Sequence, residues 1–282
     1  MIGMKKDTRA LASVSALTSD IDEQTTLRHL LDCAEQCRER SLPTFSAFLT
    51  PGEQILARGL PLGEGFHLFG GTAEAERKIA AFLPEYLDES YLTAAMESAD
   101  GADEDFPICA IRLTRRDKMV AGRTALSHRD YLGSLLGLGI RRETLGDLYV
   151  SEDGCDVICV KSMAAFLLEN VTGAGRVSLD ARQIALSEVV VPEKKVKIIR
   201  DTVASLRLDG VASAGFSLSR GKTAEAIAAG KCEVNARLCE KGDREVHEGD
   251  IVSIRGLGRM KLTEVGGNSK KGRIIITIER YL

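Results

Sequence analysis

The order of local patterns after Ile108 constrains this chain more than any other feature. ICAIRL (108–113) is strand-like by its β-branched content. SHRDYLGSLLGLG (127–139) has helical spacing: Ser127 and Asp130 are placed as a capping box, and Tyr131, Leu132, Leu135 and Leu136 form its apolar stripe. LGDLYV (145–150) and CDVICV (155–160) read as strands on either side of a turn at Glu152–Gly154. SMAAFLLENV (162–171) reads as a helix, and RVSLDARQIAL closes the series as a strand. The order is β-α-β-β-α-β.

That order predicts two helices on one face of a four-stranded antiparallel sheet, the ferredoxin-like or RRM-like arrangement. The expected class is α+β: a small N-terminal α/β subdomain (1–78), an RRM-like middle domain (79–180), and a C-terminal part (181–282) with its core at 205–265. The 282 residues, 44% hydrophobic and 28% charged, are enough for several small cores and argue against wholesale disorder. No apolar run approaches the roughly 18 residues that span a bilayer. The start, MIGMKKDTRALASVSALTSD, lacks the apolar core of a secretory signal. A cytoplasmic protein without a membrane partner is expected.

In the N-terminal part, residues 23–40 carry Leu27, Leu30, Leu31, Ala34 and Cys37 at helical spacing. Thr44–Leu49 is strand-like, Pro51-Gly52 marks a turn, and FHLF is a short strand. TAEAERKIAAFLPEYLD reads as a helix capped by Thr72 and running to Pro84. Residues 97–105 read as an acidic loop, and 181–205 as a linker. The seven cysteines show no C-x-x-C pair, so buried free thiols are expected rather than a metal site.

Charge is unevenly placed. Residues 181–282 hold 19 Lys+Arg against 13 Asp+Glu, whereas 1–180 hold 19 against 28. A basic tail on an acidic body points to a polyanionic partner for the tail. Within it, Ser219 can cap a helix starting at Arg220 and Gly230 can end that helix. Val234-Asn235 and Gly249-Asp250 punctuate short strands. Arg207, Arg220, Lys222, Lys231 and Arg237 spread over this segment and can neutralise several phosphates.

Arg207-Leu208-Asp209, Ser219-Arg220, Ala224, Ile227, Gly230, Val234-Asn235 and Gly249-Asp250-Ile251 together resemble the S-four RNA-binding domain. In that setting Asp209 is expected to be a structural hydrogen-bonding residue rather than a catalytic acid. Ala236 departs from the pattern, which often has glycine after the asparagine; a positive φ there is less comfortable for alanine.

The segment RLTRRDKMVAGR (112–123) places Arg112, Arg115, Arg116, Lys118 and Arg123 around one acid, Asp117. Arg129 lies on the following helix, and Arg141 and Arg142 lie beyond it, where cations suit the helix dipole. A phosphate-binding role and plain solvation or dipole pairing are both open for this set. The helix and strand of 127–150, together with TFSAFLTPGEQ, GGTAEAERK and the S-four-like tail, resemble the YlmH family. The resemblance implies RNA binding, association with the ribosomal RNA of the large subunit and with tRNA in the rescue of stalled nascent chains, and no cofactor. It also implies a link to cell division, with a division or quality-control protein as partner.

Base stacking on an RRM sheet uses aromatics in its first and third strands. ICAIRL and CDVICV have none, and Tyr149 is the one candidate in the second strand. Backbone contacts are therefore expected. Catalysis is not: GRVSLD (175–180) only approximates the aspartate motif of a pseudouridine synthase, and no phosphate-cradling glycine loop is present. An RNA-modifying enzyme of that type and a division-associated adaptor remain the rival readings.

Overall fold

The computed structural model describes residues 12–97, 106–117 and 125–282. The chain divides into two compact units, Met1–Pro192 and Glu193–Leu282.

The first unit opens with helix α1 (12–17) and α2 (Ile21–Arg40). Asp20 caps α2 by accepting from the Asp22 and Glu23 amides at 2.9 and 3.0 Å. Strand β1 (Thr44–Leu49) follows, then α3 (Pro51–Ala57). Pro51-Gly52, expected as a turn, is instead the first turn of α3: Thr50 and Glu53 form a reciprocal capping box, and Pro51 occupies the first turn, where its missing N–H costs nothing. Strands β2 (Phe66–Phe69) and β3 (Lys78–Phe82) complete an antiparallel sheet in the order β1-β3-β2.

The expected helix over TAEAERKIAAF is thus not formed; residues 72–77 are an irregular stretch of bends and one turn, and Lys78–Phe82 is a central strand. The reason is burial on both faces. Ala80 and Phe82 pack toward the α2 core, while Ile79 and Ala81 pack toward the middle sheet. Such a strand shows no polar alternation.

After α4 (Glu89–Glu97) the chain forms β4 (Ile108–Arg115), α5 (His128–Gly137), β5 (Leu145–Val150), β6 (Gly154–Val160), α6 (Ala164–Asn170), β7 (Gly173–Ala174) and β8 (Val177–Ile184). The β-α-β-β-α-β order is present, with short β7 added in a hairpin with β8. The sheet runs β5-β6-β4-β8-β7, every neighbour antiparallel. Tyr131 and Leu135 of α5 and Ala164 and Leu167 of α6 pack with Cys109, Ile111, Leu113, Val157 and Leu179. Leu136, expected in that stripe, is exposed.

The opposite side of the sheet is covered too. Ile108, Ala110, Tyr149, Ile158 and Ile184 pack with Phe48, Ile79, Ala81 and Phe106. The expected boundaries at 78/79 and 180/181 fall at the first residue pair of β3 and inside β8, so neither separates independent pieces. The expected linker is also partly strand, because 181–184 belong to β8 and 196–203 form β9.

The second unit comprises β9 (Val196–Val203), α7 (Leu208–Phe216), α8 (Arg220–Ala228), β10 (Cys232–Val234), β11 (Arg237–Leu238), β12 (Ile251–Ile254), β13 (Gly258–Asn268) and β14 (Ile274–Tyr281). Its antiparallel sheet runs β11-β10-β12-β13-β14-β9. Phe216, Val211 and Ile227 of the two helices pack on Val252, Ile254, Met260, Leu262, Ile276 and Ile278. Helix α7 lies so close to the sheet that a Cβ at Gly215 would meet Met260 Sδ at 2.0 Å.

Candidate nucleic-acid interface

The N-terminal ends of α7 and α8 bring Arg207 and Arg220 together in the second unit. The first amides of α7 are already satisfied: Leu208 N donates to Arg244 O at 2.8 Å and Asp209 N to Gly242 O at 2.9 Å. Helix α8 differs. Ser219 caps it, accepting from Lys222 N at 3.4 Å, and its first turn carries Arg220 and Lys222 but no acid. Cations at the positive end of a helix dipole are unfavourable by about 0.3–1 kcal/mol each. An external anion there is correspondingly favoured.

Arg207 and Arg220 converge on one carboxylate. Arg207 donates from Nε and Nη2 to Asp209 at 3.4 and 3.2 Å, and Arg220 donates from Nη2 to both Asp209 oxygens at 3.0 and 3.1 Å. The Asp209 side chain is 10% exposed, while Arg207 and Arg220 remain 44% and 58% exposed. Burial pushes the Asp209 carboxyl up, but the hydrogen bonds from Arg207 and Arg220 outweigh it and hold the group below the usual carboxylate range.

The other expected residues surround this cluster in sequence. Lys222 is exposed in the first turn of α8. Helix α8 ends in a Schellman turn at Gly230 (φ 67°), where Gly230 N bonds Ile227 O and Lys231 N bonds Ala226 O, leaving the Lys231 side chain in solvent. Arg237 is half-buried and follows a two-residue turn formed by Asn235 (φ 53°) and Ala236 (φ 58°). The Asn235 side chain locks that turn, donating to Asp250 Oδ1 at 2.7 Å and accepting from Ile251 N at 2.9 Å. Sequence reasoning marks Asp209 as structural and does not reveal that it gathers two of the expected arginines; the Arg-Leu-Asp spacing is the available signal.

The middle set is less uniform than its sequence. Arg115, expected to bind RNA, is buried and forms two 2.8 Å hydrogen bonds to Asp117, so it is not presented to a phosphate. Arg112 likewise grips buried Asp156 with two 2.7 Å bonds. Arg116 pairs with Asp180 at the surface, both more than 60% exposed. Arg142 is half-buried and braces β5, donating to Leu145 O at 2.7 Å and Gly146 O at 3.1 Å. Burial and nearby Arg77 lower its guanidinium to about 10. Arg129 is exposed, and Arg141 is exposed beside Glu143 at 3.1 Å. Lys118 and Arg123 lie outside the described residues. Gly133 and Gly137 of α5 face open space.

Tyr149, the candidate stacking residue, is only 8% exposed and its hydroxyl hydrogen-bonds Thr72 Oγ1 at 2.5 Å. It belongs to the covered side of the sheet and does not offer a ring to a base. The seven cysteines are free and buried. Among the described residues no group of three or more His, Cys, Asp or Glu could hold a metal ion, and no helix is long and apolar enough to cross a membrane.

Fold and site define an α+β protein whose second unit presents a cationic helix-end surface suited to a polyanion. The family model described as "Putative RNA-binding domain in YlmH" matches residues 102–188. The "Ribosome-associated protein quality control protein P2" of Bacillus subtilis (strain 168) is 32% identical over 261 residues, which is 92% of this chain and 95% of that protein. A solved structure, "Cell division protein ylmH from Streptococcus pneumoniae", aligns at a TM-score of 0.46 with 16% identity, covering 61% of this chain and 96% of that one. The chain belongs to the YlmH family.

Proposed function

We propose that this protein is a non-catalytic RNA-binding factor that associates with the large ribosomal subunit, contacting its RNA and the tRNA retained on it, during quality control of stalled nascent chains in the cytoplasm. The single observation carrying this reading is the first turn of α8, which carries Arg220 and Lys222 and no acid of its own, with Arg220 gathered beside Arg207 on Asp209. The matched RNA-binding family model and the ribosome-associated name of the Bacillus relative support the same reading.

In this reading the middle sheet is an RRM-like unit and the second unit an S-four domain. The middle unit contacts RNA through side chains such as Arg116, Arg129 and Arg141 rather than by stacking bases, since its second sheet face is filled by Phe48, Ile79 and Phe106. Asp180, the nearest counterpart of a pseudouridine synthase aspartate, lies exposed on β8 in an ion pair with Arg116, which favours the non-catalytic reading.

The test is pelleting of the full chain with purified large subunits, with and without tRNA, at fixed salt. Co-pelleting that increases with tRNA is expected. Failure to pellet under both conditions contradicts the proposal, and tritium release from uridine-labelled RNA supports the enzymatic rival instead.

A further inference from the structure

A carboxylate at the centre of a phosphate-binding surface is a puzzle of sign. Taken as a charge alone, Asp209 repels RNA and weakens the surface. Its geometry argues the opposite role. It sits in the first turn of α7, nearly buried, and receives hydrogen bonds from Arg207, just before α7, and from Arg220, the first residue of α8. The backbone of Asp209 is itself pinned, its amide bonded to Gly242 O at 2.9 Å, so the carboxylate is a fixed point. Two guanidinium groups bound to one carboxylate are held within a few ångströms of each other, against their mutual repulsion.

The bonds to Asp209 use two nitrogens of Arg207 and one of Arg220. A guanidinium has five N–H donors in a fixed fork, and both side chains stay close to half exposed or more. The cluster therefore retains donors after Asp209 is satisfied and keeps a net positive charge. A purely structural staple between α7 and α8 is not needed, because Phe216 and Ile227 already bury the two helices in one core and only residues 217–219 separate them.

We propose that Asp209 is a positioning residue for RNA binding: it aligns Arg207 and Arg220 so that both present donors to the same stretch of phosphate backbone. The proposal rests on the RNA-binding reading of the second unit and assigns Asp209 a role in binding that is favourable despite its charge.

The experiment measures affinity of the full chain for fluorescein-labelled bulk tRNA across a salt series. D209N removes a negative charge, yet is expected to bind more weakly, on the order of tenfold, as befits strongly coupled neighbours. In an R207Q/R220Q background, D209N is expected to add no further loss. D209E keeps an anion between the arginines and is expected to recover most of the affinity. Tighter or unchanged binding by D209N overturns the positioning role. So does an equal loss in the R207Q/R220Q background, which marks a folding effect, or D209E binding no better than D209N. The R220E/K222E protein separates the two failures: if it binds weakly while D209N does not, only the positioning role falls; if it too binds normally, the RNA-binding reading of this surface falls with it.

Discussion

The hydroxyl of Tyr149 meets Thr72 Oγ1 at 2.5 Å, tying β5 of the middle sheet to the turn that precedes β3. The hydrogen bond belongs to a seam that makes the two sheets of the first unit one structure. Asp147 accepts the Glu76 amide at 2.5 Å, and Arg77 is buried while donating to Leu145 O at 3.0 Å and Phe48 O at 2.9 Å. The face of the middle sheet opposite α5 and α6 is thus used for internal packing.

The seam has no room for an added methyl group at Gly146. A Cβ there would lie 2.7 Å from Phe48 Cε1 and 3.1 Å from Ile158 Cβ, both held in the core. G146A is expected to destabilise the first unit by about 1–3 kcal/mol through overpacking, lowering the thermal midpoint by several degrees. An unchanged melting curve contradicts the close packing of the two sheets.

Ala236 carries a left-handed backbone, φ 58°, that alanine adopts at a cost of about 1–2 kcal/mol. Glycine relieves the strain but loses more entropy on folding. A236G should therefore stabilise the second unit by a net of about 0.5–1 kcal/mol in denaturant titration. A drop in stability would show that the turn draws more from the alanine methyl than from backbone freedom.

Arg115 and Arg116 are adjacent in sequence and opposite in behaviour. Arg115 is buried on Asp117, and R115A is expected to cost about 1–3 kcal/mol by deleting a buried side chain together with its two hydrogen bonds to a charged partner. Arg116 pairs with Asp180 at the surface, and R116A should change stability by less than about 1 kcal/mol while weakening RNA binding. The comparison needs both a melt and a binding curve; R116A melting as low as R115A would refute the distinction.

Asp209 gives the second unit an acid-sensitive contribution. Its folded-state carboxyl is held below the usual range by Arg207 and Arg220. A depressed folded pKa stabilises the fold above the unfolded value, about 3.9, and that contribution is lost as pH falls through the folded value. The gap in thermal midpoint between the parent and D209N should be full near neutrality and close on acidification below about pH 4. A gap that widens in acid has the wrong sign for this account.

Local chemistry is legible in the sequence, and pairing between distant segments is not. Ser219 and Gly230 act through bonds to residues within about one turn, so their roles follow from position. Asn235 reaches Asp250 and Ile251, longer links hinted at by the Gly249-Asp250 turn. Strand β3 reads as helix because Ile79, Ala80, Ala81 and Phe82 are all buried, which removes the alternation that marks a strand. Strand β9 reads as linker because it is an edge strand whose residues before the buried Val203 are all exposed or half-buried, and its partner β14 comes only at the end of the chain. The burial of Arg115 is hidden because a run of arginines looks alike whether solvated or paired.

The central claim is that the α7–α8 surface of the second unit binds RNA through backbone phosphates. Its most direct test is the salt dependence of RNA binding by the full chain and by R220E/K222E, with the fold checked by circular dichroism. Removing one phosphate interaction makes the slope of log K against log salt shallower by about 0.7–0.9. The account predicts weaker binding across unrelated RNAs, with a slope shallower by about 1.4–1.8 when both side chains are reversed. Unchanged affinity and slope in a folded R220E/K222E protein would contradict it.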